Sequence, residues 1–112
     1  MCRAVRLVVC APTAQRRMQL RRAAAGIEWQ VVAAVGTPDD AVRKAQALHA
    51  AALVIDADTP GADHVAAGDD GVRFLVAVGK IAGADATVPA DRLDLLAPTL
   101  ARVLHDVGHH RH

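Results

Sequence analysis

Five short, nearly unbroken apolar runs punctuate the chain: AVRLVVC at 4–10, WQVVAAV at 29–35, ALVID at 52–56, RFLVAV at 73–78 and ATV at 86–88. Apolar character without alternation, rich in Val, is the pattern of strands covered on both faces. Between the first two runs, Thr13 is placed to cap a helix through AQRRMQLRRAAA that stops at Gly26. Between the next two, Thr37-Pro38-Asp39-Asp40 opens a second helix, with Pro at its first position and acids at the positive end of its dipole. Ala41, Val42, Ala45, Leu48 and Ala52 recur there at about one helical turn. Strands alternating with helices in this way predict an α/β three-layer sandwich around a parallel sheet.

The second half of the chain is less regular. Residues 61–72 are rich in Gly, Asp and Ala, with room for one or two helical turns around Asp63–Ala67. Only Gly79 to Asp85 separate the fourth run from ATV, and seven residues do not hold a crossover helix. ATV is therefore either a fifth strand reached by a bare loop or not parallel. The expected sheet has four to five strands, with shortened third and fourth helices. From Asp91, DRLDLLAPTLARVLHDV predicts a terminal helix with Leu93, Leu96, Leu100, Val103, Leu104 and Val107 on one face, kinked at Pro98. Residues 1–107 read as one domain. Gly108 is expected to end the helix, leaving 108–112 as a disordered His-rich tail.

With 53% hydrophobic and 22% charged residues over 112 positions, one hydrophobic core is affordable and disorder is excluded. Trp29 and Phe74 are the two aromatic residues, so the core is Val, Leu, Ile and Ala, and a stacking platform for single-stranded nucleic acid is absent. The net charge of +1 hides an asymmetry: residues 1–50 carry eight Lys/Arg against three Asp/Glu, and residues 51–112 carry five against nine. Cys2 and Cys10 are too few for a disulfide framework, and no apolar run has the length of a membrane span or the form of a signal peptide. A cytoplasmic location, with no membrane or nucleic-acid partner, is the expectation.

Three groups of residues invite a chemical reading. Cys10 and Arg16 have the C-x₅-R spacing of cysteine phosphatase loops, where backbone amides cradle phosphate at a helix start. The intervening APTAQ lacks the glycines such a cradle needs, and Pro12 removes a donor, so a structural Cys10 is favoured over an enzyme or phosphocarrier. His105, His109, His110 and His112 cluster at the end, but on a fraying terminus they are assigned no metal, and no cofactor is expected. Arg16, Arg17, Arg21 and Arg22 form a basic stripe on the first helix, a candidate surface for a protein partner.

The order of elements, followed by IDADTPGAD at 55–63, resembles the receiver domain of two-component response regulators. Asp56 through Asp63 match that family's D-x-x-M-P-G-x-D loop, with Thr59 in place of Met, and Gly83-Ala84-Asp85 and Pro89 fall where the family has similar residues. The resemblance makes Asp56 the counterpart of the phosphoacceptor. It also implies two metal-binding acids where this chain has Cys10 and Ala11, a Ser/Thr at Val78-Gly79 and a Lys at Val88. Lys80 and Thr87 are the nearest substitutes. The resemblance thus points to a degenerate pseudo-receiver of a bacterial signalling pathway: not an enzyme, with a vestigial Asp56 and pocket, acting through protein contact or as a homodimer. The alternatives are a Cys10-dependent phosphatase or phosphocarrier, and a receiver still phosphorylated at Asp56.

Overall fold

The computed structural model describes residues 5–24, 29–62, 74–81 and 84–110. All five apolar runs become strands: β1 (Val5–Cys10), β2 (Trp29–Val35), β3 (Ala52–Asp56), β4 (Phe74–Val78) and β5 (Ala86–Val88). They form one sheet in the order β2-β1-β3-β4-β5, and every neighbouring pair is parallel. This is the flavodoxin-like order, in which the chain reverses its winding direction between β1 and β3. Side chains then alternate between two layers. Leu7, Val9, Val54 and Val76 face α1 (Ala14–Ala24) and α3 (Leu96–His110), whereas Val8, Leu53, Ile55 and Leu75 share a layer with Ala41 and Ala45 of α2 (Pro38–Ala47).

Both predicted N-caps are made. The Thr13 hydroxyl oxygen accepts from the Arg16 amide at 3.1 Å, and that of Thr37 from the Asp40 amide at 3.2 Å. Each satisfies one of the orphan amides of its helix's first turn. Ala52, which the sequence pattern places both in the helical series and at the start of the third run, begins β3: α2 ends at Ala47, and His49 beyond it takes a left-handed conformation (φ 55°). Trp29 opens β2 as a buried plug, its indole N–H donating to the Ala24 carbonyl at the end of α1.

ATV is a parallel strand reached without a crossover helix. Register pairs Val76 with Ala86, so the chain leaving Val78 must step back only two residues and one strand over. That is about 7 Å along the sheet and 5 Å across it, well within the roughly 24 Å reach of seven residues. Asp85 fastens the return, its amide donating to the Leu75 carbonyl at 2.8 Å and its carboxylate accepting from the Leu75 amide at 2.7 Å.

The terminal helix departs from expectation at both ends. Leu93–Leu95 form a separate 3-10 turn, and α3 starts at Leu96, so Pro98 lies in the first turn, where its missing N–H costs nothing, and no kink need be invoked. The helix passes through Gly108 to His110, further than the glycine suggested. Leu96, Leu100 and Val103 are buried as predicted and Leu93 partly so, while the side chains of Leu104 and Val107 lie outside the described residues. The turn expected around Asp63–Ala67 also lies outside them, as do Cys2 and His64.

Candidate functional site

β3 is the central strand, and all five of its residues are buried. Asp56 ends it at the carboxyl edge of the sheet, beside the point where the winding reverses, which is where open α/β sheets place their sites. It is 2% exposed, and both its oxygens are engaged. Oδ1 accepts from the Asp58 amide at 3.0 Å, closing a turn of the loop, and Oδ2 accepts from Nε of Arg16 at 3.0 Å. Arg16 continues outward: one terminal nitrogen donates to Oε1 of Gln19 at 3.0 Å and the other to the Ala90 carbonyl at 2.9 Å. A single guanidinium thus joins β3, α1 and the segment between β5 and α3.

This is the main departure from the sequence reading, in which Arg16 belonged to an exposed basic stripe. A charge-assisted pair with a buried carboxylate is stronger than a surface pair because little water competes for either group. One signal was present in the sequence. An arginine in the first turn of a helix opposes the macrodipole, and such a placement calls for an anion nearby. Arg17 is also engaged, donating to the Ala11 carbonyl at 3.0 Å, so only Arg21 and Arg22 keep the fully exposed character expected of the stripe.

The remaining pocket positions gather around Asp56. Val78 pairs in register with Asp56 and with Val88, and the Gly79 amide donates to the Val88 carbonyl at 2.8 Å. Gly79 has φ +106°, and a Cβ there would lie 2.7 Å from the Cβ of Ala57. No residue with a side chain fits at Gly79 without strain, so a hydroxyl is sterically barred at that position. Lys80 and Thr87 are exposed, and Asp56 pairs with Arg16 rather than with Lys80.

Cys10 ends β1 fully buried, in the layer shared with α2, whereas Ala11 faces the α1 layer. Burial raises the Cys10 thiol from 9.0 to about 11, and the neighbouring Thr59 hydroxyl and the Arg17 charge offset only part of that. The Thr59 oxygen, itself buried, approaches the thiol without hydrogen-bond geometry and has no partner among the described residues. At neutral pH Cys10 is a protonated, enclosed thiol, poorly suited to nucleophilic attack.

The divalent cation that the receiver resemblance implies does not fit these residues. A hard cation of the magnesium type takes oxygen ligands, usually carboxylates. Here the Asp56 carboxylate is already paired with a guanidinium, and a buried thiol and a methyl group stand at Cys10 and Ala11. Among the described residues no group of three His, Cys, Asp or Glu side chains is placed to hold a metal, and no helix is long and apolar enough to cross a membrane.

Compared with known proteins, no protein-family model and no curated protein matches the chain. Among solved structures it is similar to the response regulator domain of Thermotoga maritima CheB, with a TM-score of 0.71 and 19% identity, over 93% of this chain and 96% of that one. The likeness establishes a receiver-like α/β fold over nearly the whole chain.

Proposed function

We propose that this chain is a receiver-like signalling module that acts through contact with a partner protein and does not undergo metal-dependent phosphorylation at Asp56. The observation that carries this reading is the Arg16–Asp56 pair, 3.0 Å long with the carboxylate buried. Phosphoryl transfer to a carboxylate needs a free oxygen lone pair aligned with the phosphorus and cations gathered on the phosphoryl oxygens. Asp56 is buried, with one oxygen held by a guanidinium and the other by a backbone amide, so the lone pairs left to it are enclosed and less basic. An internal cation therefore already occupies the place in which a metal and an ammonium would gather.

Acylphosphate chemistry would also add negative charge where the pair is now neutral, and Arg16 would have to abandon Oδ2 to meet it. The buried, protonated Cys10 speaks against the phosphatase or phosphocarrier alternative. Incubation with acetyl phosphate and Mg²⁺, followed by intact mass, tests the proposal. The expected result is an unmodified chain. A Mg²⁺-dependent gain of one phosphoryl group that disappears in Asp56→Asn would overturn it.

A further inference from the structure

β2 is an outer strand of the sheet, and its seven residues, WQVVAAV, include no charge, proline or glycine. Outer strands are ordinarily protected by such residues or by bulges, because their unpaired amides and carbonyls template further pairing. This strand has one protection. The register with β1 slips between Leu7 and Val8, leaving Val32 opposite no residue and putting both Val32 and Ala33 in the α2 layer. Beyond the bulge, Ala33, Ala34 and Val35 return to regular register with Val8, Val9 and Cys10.

The carbonyl of Val35 points inward, accepting from the Ala11 amide at 3.1 Å. Backbone groups alternate along a strand, so the amide and carbonyl of Ala34 point to the outer edge, which no described strand pairs. Ala34 also lines a groove against α1, together with Ala14, Arg17, Met18 and Arg21. Met18 is 56% exposed, the one large hydrophobic side chain so exposed among the described residues. The groove therefore combines three things: backbone groups able to pair, an apolar floor and two arginines.

We infer that this edge and groove receive an extended acidic segment of a partner protein, added beside β2 as a sixth strand. Charge selects that occupant. A second copy pairing edge to edge would be related by a two-fold axis and would bring the Arg17 and Arg21 of both copies together. An acidic strand meets the same arginines favourably. Arg17 and Arg21 lie one helical turn apart, about 5–6 Å, and alternate residues of a strand repeat at about 6.6 Å, so acids at i and i+2 match them. Arg17 spends one donor on Ala11, and among the described residues its other four are unspent. The inference rests on the reading of the chain as an interaction module, and supplies its partner's chemistry.

The test uses a fluorescein-labelled hexapeptide of alternating Asp and Val, with fluorescence anisotropy and amide exchange as readouts. The proposal expects saturable binding that slows exchange of the Ala34 amide. It also expects affinity to fall about tenfold or more with Arg21→Glu and on N-methylation of alternate peptide amides. Arg21 is exposed, so that variant should keep its fold, checked by its thermal melt. The inference is overturned by absence of binding at millimolar peptide, or by equal binding of a Lys/Val peptide. Binding indifferent to Arg21→Glu would overturn it too, as would a dimer by light scattering whose Ala34 amide is protected without peptide. Each of these outcomes leaves the acetyl phosphate result standing, so failure here is separable from failure of the proposed function.

Discussion

Replacing Arg16 by Met removes the guanidinium while keeping much of its aliphatic volume, and so isolates the charge interaction with Asp56. Breaking a buried pair from one side costs about 3–5 kcal/mol, because the surviving charge is left desolvated. The Asp56 side chain is only 3% exposed, but that of Arg16 is 23% exposed, so water can follow into the vacated space. A cost of about 2–3 kcal/mol is the discounted figure. Asp56→Asn should cost less, about 1–2 kcal/mol, since the freed arginine keeps Gln19 and the Ala90 carbonyl and can turn outward to solvent.

The double variant should cost little more than Arg16→Met alone, giving a coupling of about 1–2 kcal/mol. Against a total of about 5–15 kcal/mol for an ordinary domain, such a change is easily resolved. Urea unfolding of the four proteins, with the m-values compared to confirm a common unfolded state, provides the measurement. A coupling below about 0.5 kcal/mol would mean that the pair is no stronger than a surface contact. The same conclusion would follow if Arg16→Met cost no more than Arg21→Met. Either result would remove the physical basis for calling Asp56 occupied.

Other consequences follow from single residues. Gly79→Ala should cost about 3 kcal/mol in the same assay, from the positive φ and from the Ala57 Cβ, which is fixed to the backbone and cannot swing aside. Thr37→Ala should lose about 1 kcal/mol through the α2 cap, and Thr37→Ser should recover most of it. Cys10 adds an alkaline limb to the stability profile. Its thiol is near 11 when folded against 9.0 for the ordinary group, so between those values the unfolded chain has lost a proton that the folded chain retains, and stability falls as pH rises. The two-unit difference corresponds to roughly 2–3 kcal/mol, present in full below pH 9 and gone above pH 11. Cys10→Ala should lack this component, and an equal slope in both proteins would show that Cys10 is not responsible.

What could be read from sequence depended on the range of the interaction involved. The strands were legible because β1, β3 and β4 lie between covered faces and so leave continuous apolar runs, and the two caps because Thr13 and Thr37 act three residues away. The parallel setting of β5 is not legible because connection length alone does not say how far the chain must return; the register of Ala86 with Val76 makes the return short. The start of α3 is hidden in the sequence because Asp91 resembles a cap, yet the 3-10 turn intervenes and moves Pro98 to where it is tolerated. Sequence alone places Arg16 on the surface because its partner lies 40 residues away, and only the packing of α1 against β1 and β2, from which the Arg16 side chain reaches the end of β3, brings the two together.

The Arg16–Asp56 pair also gives the absence of acids at Cys10 and Ala11 a physical meaning. Carboxylates there would compete with Asp56 for Arg16 or, with a cation bound, would repel it; with a thiol turned into the α2 layer and a methyl group, nothing does. The unfavourable placement of an arginine in the first turn of α1, worth about 0.3–1 kcal/mol, is then outweighed by a carboxylate that pairs with no other cation among the described residues. Because the same guanidinium holds the Ala90 carbonyl, the segment leading into α3 is tied to the state of Asp56. The link is made by a side chain of the chain itself, so Arg16→Met should release the segment. Faster amide exchange at Ala90–Arg92 in that variant, with exchange at Val8 and Val54 unchanged, is the expected signature; uniform acceleration across the sheet would instead mark Arg16 as a purely global stabiliser.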